Sequence, residues 1–261
     1  MRLARLLVCA LLALNSPFSS PAAPSATSTS QASVLLHQSL AALTGGLTLN
    51  DVTLTGSAQA IAGSDNETGT VTLQAVSAGA SSLNLSLSLG QQTEILNASA
   101  TPPTGSWSGP DGTVHQVSFH NLLTGPFWFV PAMALASSSS ARGATVTYVG
   151  PEIHNGQAVQ HLTITKSAPA SLPPSTNLTQ LEFYLDATTF LPAALDFNIH
   201  PDSNMLVDIP VEIRFSNYTA AQTAQVPFHI QKFINNTLAL DLQLQNATLN
   251  AGLTVAQITA N

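Results

Sequence analysis

Leu181-Glu182-Phe183-Tyr184-Leu185-Asp186 opens the stretch that decides the fold, with apolar side chains at every odd position. The alternation resumes in Leu191, Ala193, Leu195, Phe197 and Ile199 after a turn at Ala187-Thr188-Thr189. It returns in Ile209, Val211, Ile213 and Phe215, with Glu212 and Arg214 facing the other way, then in Val226, Phe228 and Ile230. Its last run is Leu238, Leu240, Leu242 and Leu244. A period of two puts one oily face on each of five strands. Asn235-Asn236, a pair that tolerates positive φ, joins the last two as a tight hairpin.

Working outward, the chain before this stretch continues the pattern. Ser33 to Leu43 carries Leu35, Leu36, Leu40 and Leu43 at helical spacing and stops at Gly45-Gly46. Strand-like runs follow at 47–55, 70–76, 83–89 and 92–98, with loops expected at 63–69, 77–81 and 101–112. Leu83, Leu85, Leu87 and Leu89 alternate with Asn and Ser without a break. Further strands are expected around 114–119, 145–149 and 158–166, giving about eleven in all. Between them lies Leu122 to Ala136, the most apolar segment after the N-terminal one. It reads as a short broken helix or two turns, with Pro126 placed as a first-turn proline and Pro131 interrupting the middle, closed by Ser137 to Ser140. The expected fold is mainly β, an incomplete, unclosed antiparallel barrel with short helices at its mouth.

Tyr184-Leu185-Asp186-Ala187-Thr188-Thr189-Phe190-Leu191-Pro192 resembles the strand, Asp, turn, Leu-Pro, strand signature of the LolA-like family of periplasmic lipoprotein and lipid carriers. Phe215-Ser216-Asn217-Tyr218 with Val226-Pro227-Phe228-His229-Ile230 is similar to the next hairpin of that family, and Leu249-Asn250-Ala251-Gly252-Leu253 to its close. The resemblance spans residues 180–255. It implies a half-barrel that holds acyl chains or another apolar ligand, and it carries over no catalytic residue.

Met1-Arg2-Leu3-Ala4-Arg5, the apolar run Leu6 to Leu14 and the small residues through Ala23 read as a secretory signal peptide, residues 1–23. The run is too short for a bilayer span. Residues 24–31 read as a loose leader, and 32–261 as one domain. The only cysteine, Cys9, leaves with the signal, which excludes a disulfide framework, a thiolate metal site and a cysteine nucleophile from the rest. Arg142, Lys166, Arg214 and Lys232 then face thirteen acidic residues, a balance that argues against nucleic acid and against a polybasic grip on headgroups. A periplasmic or secreted monomer, without cofactor, is expected.

Seven histidines invite a metal or catalytic reading, but no HExxH or paired spacing backed by carboxylates supports it, and no metal site is expected. Gly105-Ser106-Trp107-Ser108-Gly109 has Trp where a serine nucleophile would stand. An enzyme would need at least two of His115, His154, His161 and His229 to meet an acidic residue in a cleft. The expected function is instead non-enzymatic: an envelope carrier or sensor of a lipid or a lipoprotein acyl chain. Its site residues would be Phe127, Trp128, Phe129 and Met133 on an aromatic lid, and Phe183, Leu195, Phe197, Ile213, Phe215 and Phe228 on the concave wall. The alternative is a structural or interaction module of the envelope whose interior is filled by its own side chains.

Overall fold

The computed structural model describes residues 26–172 and 176–260, so the stretch read as a signal peptide lies outside the described residues. Helix α1 (Ala26–Thr44) takes in much of the stretch read as a leader, then stops at Gly45 and Gly46, which have φ of 56° and 85°. Gly45 is also a close approach, since a Cβ there would sit 2.3 Å from the carbonyl oxygen of Thr223.

Six strands run outward from the centre of a single sheet: β1 (Asp51–Ala62), β2 (Asp65–Val76), β3 (Ala80–Leu87), β4 (Gly90–Asn97), β5 (Thr104–Ser108) and β6 (Val114–Gln116). Helix α2 (Pro131–Ser140) intervenes, and then β7 (Thr145–His154), β8 (Gln157–Thr165), β9 (Gln180–Asp186), β10 (Pro192–Ile199), β11 (Ile209–Ala221), β12 (Ala224–Ile234) and β13 (Thr237–Leu249) run back in from the far edge. A short α3 (Val255–Thr259) ends the chain, opened by a capping box between Thr254 and Gln257.

The sheet is antiparallel throughout and thirteen-stranded, ordered β6-β5-β4-β3-β2-β1-β13-β12-β11-β10-β9-β8-β7. Edge strands β6 and β7 are consecutive in the chain yet do not pair among the described residues, so the barrel is left unclosed where residues 117–144 cross. The unclosed barrel is therefore as the sequence reads. The strand count is slightly higher, and two expected loops turn out to hold strand: one lengthens β2, the other adds β5. The 63–69 stretch is mostly strand, because a hairpin closed at Gly63-Ser64 carries its polar residues outward while each still pairs, as in Ala62↔Asp65 and Ile61↔Asn66. Within 101–112, Thr104–Ser108 forms β5, with Trp107 opposite both Glu94 and His115.

The apolar residues of alternate positions line up across strands on the concave side. One row is Leu54, Leu73 and Leu83; the other is Leu162, Phe183, Leu195 and Ile213, then Lys232 and Leu240. Helices α1 and α2 bury Ala32, Leu35, Leu43 and Leu135 in the same core. Helix α3 covers the opposite face, with Ile258 against Val76 and Ala80.

The apolar crossing combines the two expected forms, turns first and a helix after them. Residues 125–130 form hydrogen-bonded turns (Trp128 N–H to Gly125 O, Val130 N–H to Phe127 O), and the helix begins at Pro131, whose missing N–H costs nothing in the first turn. The serines 137–140 do not end it. The hydroxyls of Ser137 and Ser140 donate back to the carbonyls of Ala134 and Ala136, which keeps them compatible with helix.

Candidate functional site

The crossing segment places its large side chains against the concave wall. Phe127, Trp128, Phe129 and Met133 are all buried there, as are Phe183, Leu195, Phe197, Ile213 and Phe215, while Phe228 is half-buried against the same core. All ten predicted residues thus share one apolar interior. They do not all face open space.

Among the hollows that flank the crossing, two half-open ones bear on an apolar ligand. One, of about 330 Å³, lies between α1 and α2 and is walled by Leu40, Leu47, Leu49, Phe127, Ala132 and Met133. The other, of about 190 Å³, lies at the other side of the crossing among Trp107, Trp128, Phe197, Glu94 and Lys232. Phe129, Phe183, Leu195 and Ile213 wall neither; at 1% exposure or less they are sealed core.

Trp128 lines the smaller hollow and is tied to both walls. Its Nε1–H donates to Glu94 Oε1 on β4 at 3.3 Å, and the Lys232 ammonium on β12 lies 4.7 Å from the ring centroid. Neither Glu94 nor Lys232 was expected in the site. Lys232 could have been, since it continues the parity of Val226, Phe228 and Ile230 and so points inward. Glu94 gives no such signal alone, because only the pairing Leu83↔Glu94 puts it on the concave face. Lys166, at the end of β8, donates from Nζ to the carbonyl of Leu123, and burial pulls its pKa down to about 8.

Of the four histidines singled out in the sequence, two remain apart and two meet acidic residues beside one hollow, an encounter that their spacing did not show. His115 stacks on Trp107 at 4.3 Å and His229 pairs with Asp241 at 3.1 Å, both as ordinary partnered groups. His154 and His161, however, both stack on Tyr184, with centroid distances of 3.7 and 4.5 Å, and each meets a carboxylate: Glu212 at 3.0 Å and Glu182 at 2.7 Å. They lie on the outer face, beside a hollow of about 390 Å³ that Glu182, Asp196 and Glu212 help to line. Burial, with the neighbouring Glu212 and Glu182, pushes the Asp196 carboxyl up to about 7. Burial also raises the Tyr184 hydroxyl, with Asp196 adding to it. At Glu212, hydrogen bonds led by Arg214 outweigh the effect of burial and hold its carboxyl below the usual range.

No family model matches the sequence, and no curated protein does. Solved structures do match. A domain assigned to outer membrane lipoprotein sorting, from Vibrio parahaemolyticus, superposes with a TM-score of 0.54 at 14% identity over 86% of this chain and 95% of its own. A LolA superfamily protein from Nitrosomonas europaea does so with a TM-score of 0.52 at 11% identity, over 84% and 93%. The fold is LolA-like, and the likeness extends well beyond residues 180–255 into the first half of the chain. None of the helices among the described residues is long and apolar enough to cross a membrane.

Proposed function

We propose that the half-barrel is a non-enzymatic envelope module that takes up an acyl chain or a similar apolar ligand between α1, α2 and the concave wall. The observation that carries this reading is the hollow of about 330 Å³ between the two helices, walled mainly by Leu, Ala, Phe and Met side chains. It stands at the small end of ligand pockets, which span about 300–1,000 Å³. Each methylene buried there contributes about 0.8 kcal/mol, so a chain of ordinary length needs no salt bridge to bind. That suits an interior with few cations. A longer chain is accommodated by displacement of the 125–130 turns, whose polar links to the walls are one long hydrogen bond and one cation–π contact. Lipoprotein sorting, named for the Vibrio domain, has the same physical requirement of shielding acyl chains from water.

A second reading has its own support. Phe129, Phe183, Leu195 and Ile213 seal the middle of the interior, as a structural or interaction module with a filled core would. Mass spectrometry of solvent extracts from protein purified out of its native envelope separates the two. The carrier reading expects a co-purifying lipid near one per protein, depleted in Ala132→Phe, where a ring fills the hollow. Protein that is clean of lipid and takes up no added fatty acid overturns it in favour of the filled module.

A further inference from the structure

The outer face of β8–β11 carries an arrangement that acyl-chain binding does not use. Strand register sets Thr163, Glu182, Asp196 and Glu212 in one cross-strand row, so three carboxylates stand opposite one another on adjacent strands. Like charges directly opposite destabilise a sheet, and such a row calls for something positive to compensate it. The two flanking members are provided for. Glu182 accepts from Thr163 at 2.6 Å and meets His161 at 2.7 Å, and Glu212 accepts from Arg214 at 2.7 Å and from Asn155. The central one is different: Asp196 Oδ1 is buried and has no hydrogen-bond partner.

His154 reaches this row from the end of β7, across the outer face, with its ring lying nearly parallel to Tyr184 (11°) and its Nε2 3.0 Å from Glu212 Oε1. One ligand atom each from His154, Asp196 and Glu212 can be chosen so that all lie within 4.8 Å of one another. Zinc binds imidazole nitrogen and carboxylate oxygen at about 2.0–2.2 Å, so each of the three donors has at most roughly 0.7 Å to close in order to share one ion. The other Glu212 oxygen stays with Arg214, whose guanidinium lies over the Phe233 ring.

We propose that His154, Asp196 and Glu212 form a binding site for one divalent first-row cation, with zinc the ion best suited to one nitrogen and two carboxylate oxygens. The ion occupies the gap against the free Asp196 oxygen, offsets the carboxylate row, and keeps its remaining position for water in the outer hollow. It also clips the tip of the β7–β8 hairpin to β10 and β11, steadying an edge of the sheet that no further strand covers among the described residues.

The test uses the mature protein stripped with chelator and titrated with Zn²⁺, and separately with Co²⁺, whose d–d absorption reports its ligands. Wild type is expected to bind one equivalent saturably. Asp196→Asn and His154→Ala are expected to bind at least about tenfold more weakly, since losing even an outer partner of a metal ligand costs about 10–100-fold. Asp241→Asn, which alters the His229 pair elsewhere on the sheet, is expected to bind as wild type does. Failure of wild type to bind one equivalent, or undiminished binding by Asp196→Asn, overturns the site. Should the variants not fold, proton NMR of wild type decides: zinc is expected to move the His154 ring signals and leave those of His229, and the reverse pattern overturns the proposal.

Discussion

The inner and outer faces of β8–β12 are built from alternate residues of the same strands, yet they solve opposite problems. Inside, Leu162, Phe183, Leu195 and Ile213 make a continuous apolar row that ends in one cation, Lys232. One residue along, the outer row is Thr163, Glu182, Asp196, Glu212 and Phe233. The inner row is held by burial, which is non-directional and tolerates the two hollows beside it. The outer row is held by named donors, each placed to serve a particular oxygen. Across the sheet, the matching outer row of Thr72, Asn84 and Thr93 is uncharged, and there a single bond from Thr93 to Asn84 suffices. Chemistry is thus concentrated on one half of one face, and the fold itself depends on the other.

Breaking the inner row has the largest expected effect. Phe183 is fully buried, and Phe183→Ala should destabilise by about 3–5 kcal/mol through lost transfer energy and the cavity left behind. Thr72→Ala on the uncharged outer row should stay within about 0.5 kcal/mol. Urea unfolding midpoints of the two variants check the contrast, and equal losses would show that the inner face does not carry the fold.

A charge stranded on the inner side sharpens the comparison. Lys166 has the Leu123 carbonyl for its amine, and burial lowers its pKa to about 8. The folded chain therefore gives up this proton near pH 8, whereas the unfolded chain keeps it to about pH 10.4. Between those values the unfolded state binds more protons, so stability rises with pH there, and the cost of the buried charge is fully present below pH 8. Lys166→Met should be more stable than wild type at pH 7 by about 2 kcal/mol, after allowing about 1 kcal/mol for the lost hydrogen bond. The advantage should vanish above pH 10, as followed by thermal melts across pH.

How far these features were legible follows from which of them are local. The five strands of 181–244 print their period because each has one buried face, and the hairpin at Asn235-Asn236 shows in residues that accept φ of 49° and 60°. Strand β5 did not show, since Thr-Gly-Ser-Trp-Ser has no alternation and pairs only because β4 and β6 flank it. The start of the helix at Pro131 was hidden by an equally well-placed Pro126. The carboxylate row was invisible for a stronger reason. Each strand contributes a single acidic residue to it, and only the registers of two pairings bring them level. His154 is more remote still, arriving from a strand that is four places from β11 in the sheet. The apolar interior could be read from parity, but the hollows could not, because they depend on how α1 and the crossing segment fill it.

The smallest expected effect concerns a second place where the inner face borrows the outer face's device of directional bonds. Trp128 is 2% exposed and joins Glu94 on one wall to Lys232 on the other, whereas Trp107 is 47% exposed. Trp128→Phe keeps an aromatic ring and most of the burial while removing the Nε1–H, so Glu94 loses a partner and Lys232 meets a weaker π face. A loss of about 1 kcal/mol is expected, the value of one modest hydrogen bond plus a reduced cation–π contact. In a Trp107→Phe background the remaining indole should emit at short wavelength, and adding a fatty acid should shift that emission if the crossing segment moves to admit it. An emission that stays unchanged while the fatty acid binds would mean that Trp128 stays fixed at the smaller hollow, and that α1 is the element that gives way.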